Sequence, residues 1–254
     1  MNKITKTITV IAAFMVLPFV TAAQQAPLAD RADSLYSAFA EEQALEHYKK
    51  LLEAKPNNYQ ALWRTSFLYS RIGNRLDDKG DQKEYYNNAI DYAEQALAED
   101  STDSQSNFVM AVAKGRKALI SGARDRVAAS RAIKKYADRA IKYDSTHAGA
   151  WHVLGRWNLK VANLSWIERA AANTLFGGIP GSASNEKAAE YISKAISYND
   201  QYVLYYHDLA TVYEEMGRDQ DAIKACEQGL QLPNLTPDDP QLKQDCRELI
   251  DDLR

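Results

Sequence analysis

Residues 203–236 read VLYYHDLATVYEEMGRDQDAIKACEQGLQLPNLT. Apolar and small residues recur there at helical spacing: Tyr206, Leu209, Ala210 and Tyr213, then, beyond Gly217, Ala222 and Cys226. That period predicts two amphipathic helices joined at Gly217. Pro233 punctuates the end of the second, where a missing N–H does least harm.

The tail of this unit, KACEQGLQLPN from Lys224, is echoed four times upstream. The echoes are YKKLLEAKPNN from Tyr48, YAEQALAEDST from Tyr92, YADRAIKYDST from Tyr136 and YISKAISYND from Tyr191. Aligning Leu51, Ala96, Ala140, Ala195 and Gly229 gives spacings of 45, 44, 55 and 34 residues. The last equals the tetratricopeptide period, and the others exceed it by insertions. Seven residues before each aligned position stand Ala44, Ala89, Ile133, Ala188 and Ala222. Fifteen residues after the first four stand Ser66, Ala111, Gly155 and Ala210, all small, as a close crossing of paired helices requires.

The fold class that follows is all-α: a tetratricopeptide-type helical-hairpin solenoid with a C-terminal capping helix. No stretch alternates apolar and polar residues between turn signals, so a sheet is not expected. The pattern predicts a first helix over about 30–55 and hairpins over about 58–100, 103–144, 147–199 and 201–232. A helix over about 238–253 covers the last repeat. The inserted residues, including GNRLDDKGDQ from Gly73 and GGIPGSASN from Gly177, are expected as surface loops between the two helices of a hairpin.

The N-terminus reads as a secretory signal. Lys3 and Lys6 precede an apolar run from Ile8 to Val20, and Thr21-Ala22-Ala23 offers small residues for cleavage. The expected organisation is a signal peptide at 1–23 and one helical repeat domain at 24–254, exported to a periplasm or secreted. Without residues 1–23 the balance is 29 basic against 34 acidic residues, which argues against nucleic acid as a partner. No later run is long enough to span a bilayer. Cys226 and Cys246 are a candidate pair for one disulfide, since the turn after residue 234 sends the last helix back along its predecessor.

Residues 151–180 read WHVLGRWNLKVANLSWIERAAANTLFGGIP, and the last repeat exits through LPNLT into PDD. This combination resembles the regulator of microtubule dynamics family of animal proteins. The matching residues are Gly155, Arg156, Trp157, Leu164, Ser165, Trp166, Glu168 and Arg169. The resemblance is clear over about 100 residues and periodic only before Asp103. It implies a tetratricopeptide-like fold and a binding role.

No catalytic constellation is present. His47, His147, His152 and His207 form no i, i+4 pair, and neither HExxH nor GxSxG occurs. The chain is therefore expected to be no enzyme and to hold no metal or cofactor. Trp151 and Trp166 are expected in packing, and Arg156 and Arg169 in structural charge pairs with Glu168.

The concave face remains as the candidate site. Counting along the first helix of each hairpin, one column holds Trp63, Phe108, His152 and His207, and the next holds Phe67, Val112, Arg156 and Thr211. The third holds Arg71, Arg116, Lys160 and Glu215, basic in three of four units. An apolar trough with a cationic rim suits either an acidic-apolar protein or peptide segment or a lipid or other anionic amphiphile. A continuous apolar trough favours the second, and Lys, Arg and Asn sites for peptide backbone favour the first.

Overall fold

The computed structural model describes residues 22–176 and 183–254, and the account that follows concerns those residues. They form twelve helices and no strand. Helices α1 (Ala22–Ser37) and α2 (Glu41–Ala54) pair first, followed by α3 (Tyr59–Asn74) with α4 (Lys79–Glu99). Next come α5 (Ser104–Leu119) with α6 (Ala123–Tyr143), then α7 (Ala148–Ala162) and α9 (Asn185–Tyr198) with α8 (Trp166–Phe176) between them. Helices α10 (Val203–Glu215) and α11 (Asp219–Leu230) form the last hairpin, and α12 (Asp239–Asp252) lies against both.

Local chemistry starts and stops these helices. Asn58 accepts a hydrogen bond from Ala61 N–H and Asp103 from Gln105 N–H, satisfying first-turn donors of α3 and α5. The repeated DST sequences are Asx turns: Asp100 accepts from Thr102 N–H and Oγ1, and Asp144 accepts likewise from Thr146. Gly217, at φ +66°, breaks α10 from α11. Its left-handed backbone lets Arg218 N–H reach the Tyr213 carbonyl at 2.9 Å.

The column of small residues lies at the helix crossings. Ser66, Ala111, Gly155 and Ala210 are all buried. Ser66 Oγ donates to the Ala89 carbonyl at 2.7 Å, so α3 and α4 touch through a hydroxyl. At Gly155 a Cβ would sit 2.4 Å from Ile192 Cγ1, so α7 and α9 approach as closely as their backbones permit.

Three expectations need correction. The region of about 30–55 is a hairpin and not one helix. The chain reverses at Phe39, at φ +54°, and the Ala40 N–H turns back to the Leu35 carbonyl. The insert after Gly73 is largely helical, because Asp78 caps α4 and extends it to 21 residues. The third hairpin carries an additional helix, α8, packed on α6. The Gly-rich stretch from Gly177 falls mostly outside the described residues, as does the reading of 1–23 as a signal. Of that reading only Ala22 and Ala23 are described, inside α1, which runs continuously past the expected cleavage point.

The two ends of the solenoid meet. Arg71 Nη2 lies 3.6 Å and Arg75 Nη1 3.4 Å from the carboxylate of Asp238, which precedes α12. The Phe39 and Tyr202 rings make an edge contact at 6.5 Å. Glu41, buried at the start of α2, holds both arginines from behind at 2.7 Å each. The coil thus turns far enough for its first and last units to share an ion cluster.

Candidate functional site

That closure converts the concave face into a chamber of about 420 Å³. Helices α3, α5, α6, α7, α8, α10 and α12 contribute to its wall. Of the three columns expected to line it, Phe67, Arg71, Phe108, Val112, Arg116, His152, Arg156 and Lys160 do so. Trp63 and His207 do not. Trp63 packs edge-on against Tyr36 at 6.2 Å, as part of the first hairpin's core. His207 turns toward the acids Asp208 and Asp245, at 3.4 and 3.9 Å. Thr211 and Glu215 also lie off the wall.

The apolar part of the wall is well packed. Phe67 and Phe108 meet at 5.5 Å, and Val153, Trp157 and Leu204 continue the surface. Trp157 is buried and its indole N–H donates to the Ser130 carbonyl at 2.9 Å, which leaves the ring as wall. The counted columns do not include Trp157, Leu204 or Tyr205: Trp157 stands one residue after Arg156, and Leu204 and Tyr205 precede His207 by three and two.

The charges sort into paired and unpaired groups. Arg71 is bound by Glu41 and Asp238, so it is part of the closure and not a free rim cation. Arg156 holds Asp208 with Nη1 at 2.6 and 2.8 Å from its two oxygens. His152 Nε2 lies 2.6 Å from the same carboxylate. Burial would raise the Asp208 carboxyl, but Arg156, His152 and His207 hold it well below the ordinary carboxylate range. Burial lowers His152, against the pull of Asp208. His207 is raised: burial opposes its charge, but Asp208 and Asp245 outweigh it.

Arg116 and Lys160 are different. Among the described residues neither lies within ion-pair distance of a carboxylate; Arg116 donates to the Asn74 side-chain oxygen, and Lys160 is exposed. The Arg116 guanidinium stands inside the concavity, where burial and the neighbouring Arg156 both push its pKa down. It therefore has unmet capacity for an anion.

Glu168 pairs with Arg126 at 2.8 Å, not with Arg156 or Arg169, which corrects the expected charge pairs. Arg169 instead donates to the carbonyls of Ala162 and Leu164. Trp151 packs on Tyr191 at 5.3 Å as expected, but Trp166 is 78% exposed and packs little. Cys226 and Cys246 are free, fully buried thiols in hydrogen-bond contact across α11 and α12, with no bridge between them. No group of three or more His, Cys, Asp or Glu among the described residues is arranged to hold a metal, and no described helix is long and apolar enough to cross a membrane.

Comparison with known proteins agrees with this architecture. The family model for regulator of microtubule dynamics protein 1-3 matches residues 28–254. Regulator of microtubule dynamics protein 3 of Rattus norvegicus is 28% identical over 229 residues, covering 87% of this chain and 48% of the relative. Protein 2 of Mus musculus is 26% identical over 193 residues, covering 76% and 47%. The chain thus spans about half the length of the curated relatives it matches. A thermophilic TPR protein of Thermus thermophilus superposes with a TM-score of 0.64 at 16% identity, covering 89% of this chain and 98% of that one. Pseudomonas aeruginosa pilF superposes at 0.54 with 12% identity, covering 90% and 88%. The comparisons overturn one expectation. The matched relatives are named regulators of microtubule dynamics, and against them the periplasmic or secreted location read from the first 23 residues is withdrawn.

Proposed function

We propose that this chain, which belongs to the regulator of microtubule dynamics family, is a non-catalytic binding protein whose closed chamber takes a ligand with one anionic end and one apolar end. Family and fold supply the coarse half of this statement, since helical repeats of this kind generally serve as interaction scaffolds through a concave face. The finer half rests on one observation. Two cations without a carboxylate partner among the described residues, Arg116 and Lys160, share a wall with the apolar side chains of Phe67, Phe108, Val112, Val153, Trp157 and Leu204, while its other cations Arg71, Arg126 and Arg156 are paired with acids.

An anionic amphiphile fits that chemistry better than a peptide. The chamber's volume is in the range of small-molecule pockets, roughly 300–1,000 Å³. A peptide needs spaced donors and acceptors for its backbone. The chamber's asparagine, Asn163, is spent on the Leu159 carbonyl and on Asn185. An acyl-like tail needs only dry apolar wall, and its head needs a cation whose charge is not already cancelled.

The test starts with native mass spectrometry of the purified chain for a co-purifying amphiphile or peptide. Titration with a fluorescent fatty-acid probe and with an acidic-apolar peptide follows. Arg116→Ser with Lys160→Ser should weaken probe affinity by about tenfold or more, since a hydrogen bond to a charged group contributes about 1.5–3 kcal/mol. Equal probe binding by wild type and double variant would overturn the assignment. Preference for the peptide over the probe would transfer the site to a protein partner.

A further inference from the structure

Among the described residues, helix α8 packs on α6 through one face and leaves the apolar side chains of its first turn exposed. Trp166 is 78% and Ile167 52% exposed, and Leu119, at the end of α5, is 47% exposed. These are three of the six exposed large hydrophobic side chains among the described residues, and one guanidinium joins their neighbourhoods. Arg126 bridges the Glu168 carboxylate at 2.8 Å and the Ser121 carbonyl at 3.1 Å. The α5–α6 turn and the start of α8 therefore stand side by side.

The presentation is fixed and not a fraying end. Ser165 and Glu168 form a reciprocal cap: Glu168 Oε2 accepts from Ser165 N–H at 3.0 Å, and Ser165 Oγ accepts from Glu168 N–H at 3.3 Å. With Glu168 buried against Arg126, the first two residues of α8 are left facing solvent. The same edge opens on the chamber, whose wall includes Leu119, Arg126, Leu164 and Glu168.

Charge names the occupant. From Lys114 to Arg131 the chain carries six basic residues and one acid, Asp125; Arg116 faces the chamber and Arg126 is paired with Glu168, and Lys117 and Arg124 stand on the turn itself. Lys117 and Arg124 stand on either side of Leu119 in the chain, where the α5–α6 turn meets the start of α8. A tryptophan beside aliphatic side chains with lysine and arginine on the adjoining turn is a composition that enters the headgroup layer of an anionic bilayer.

We infer that the edge formed by Leu119, Trp166 and Ile167 docks on an anionic membrane surface and brings the mouth of the chamber to the lipid. The inference extends the amphiphile reading, because docking there shortens the path of a lipid from bilayer to chamber. No described helix is long and apolar enough to cross the bilayer, and the contact is interfacial and reversible.

Cosedimentation of the full chain with vesicles tests it. Vesicles of phosphatidylcholine with phosphatidylserine should pellet the wild type, and phosphatidylcholine alone should not. Trp166→Glu with Ile167→Glu should lower partitioning about tenfold or more, and Lys117→Glu with Arg124→Glu about tenfold, from the loss of two basic contacts. Both pairs are at the surface, so helix content by circular dichroism should stay at the wild-type level. In the absence of vesicles, both pairs should bind a soluble fatty-acid probe as wild type does. Wild-type partitioning by either variant overturns the docking surface, as does equal pelleting with neutral vesicles. A chain that binds probe but never pellets overturns docking and leaves the chamber reading intact; one that pellets but binds no probe does the reverse.

Discussion

Gly155→Ala is expected to destabilise the protein although alanine is the better helix former. Gly155 lies within α7, where replacement by Ala ordinarily gains about 1 kcal/mol. Here the added Cβ would stand 2.4 Å from Ile192 Cγ1 and 3.2 Å from both the Ala188 carbonyl oxygen and the Ile192 nitrogen. Carbon atoms pack at about 3.5–4.0 Å. Rotation of Ile192 alone does not relieve the clash, because two of the three contacts are to α9 backbone. The helices must part, and overpacking of this kind costs about 1–3 kcal/mol. Set against the propensity gain, this leaves a net loss of up to about 2 kcal/mol and a melting temperature lower by up to about 8 °C.

Gly115→Ala is the internal control. Gly115 is also helical, on α5, but a Cβ there meets nothing within 4 Å. It should gain about 0.5–1 kcal/mol from backbone entropy, raising the melting point by a few degrees. Urea unfolding followed by circular dichroism reads both changes from one pair of curves. If Gly155→Ala is as stable as wild type, the close α7–α9 approach is wrong, and with it the placement of His152 and Arg156 on the chamber wall.

Two further perturbations address the charges. Asp208→Asn should cost about 2–4 kcal/mol, because it strands Arg156, whose side chain is one-third exposed and so loses less than a sealed partner would. In pH-dependent denaturation the gap to wild type should widen as pH falls through the histidine range, since a raised His207 contributes only while charged, and should shrink progressively below about pH 4, where the unfolded carboxyl protonates first, until the depressed folded Asp208 takes up its own proton. A gap independent of pH would contradict the ion cluster. Asp238→Lys places a cation beside Arg71 and Arg75 and should open the ring, costing about 1–2 kcal/mol and speeding amide exchange near Phe39 and Tyr202. Wild-type exchange there would mean the ends meet without Asp238.

Much of the fold was legible because helical repeats write their contacts at short range. The column Ser66, Ala111, Gly155 and Ala210 is small for a steric reason that acts locally, so spacing alone located all four crossings. The first hairpin escaped because its reversal rests on Phe39, a residue that advertises no turn, at a left-handed φ. Helix α8 carried a signal that counting repeats passes over: Ser165-x-x-Glu168 is a capping box and opens a helix whatever the repeat period. Trp166 was expected in packing because aromatic residues usually are. With α6 as its principal neighbour, α8 buries Glu168 and Ala172 and has no second surface for its first turn.

The site was harder to read because a wall is a property of curvature. Column counting places a side chain on the inner face but says nothing about how far the coil turns, and that angle decides between an open groove and a chamber. The closing contacts join Arg75 to Asp238, 163 residues apart, and neither residue stands out in its own segment. Closure also changes what a basic residue on the inner face means. Arg71 reads the same as Arg116 in sequence, yet once the ends meet it is consumed by Glu41 and Asp238. Arg116, one hairpin deeper, has only the Asn74 side chain, and so keeps its charge for whatever enters. The cation that closes the ring and the cation that faces its interior are thus the same column, separated by whether a carboxylate from the far end of the chain arrives.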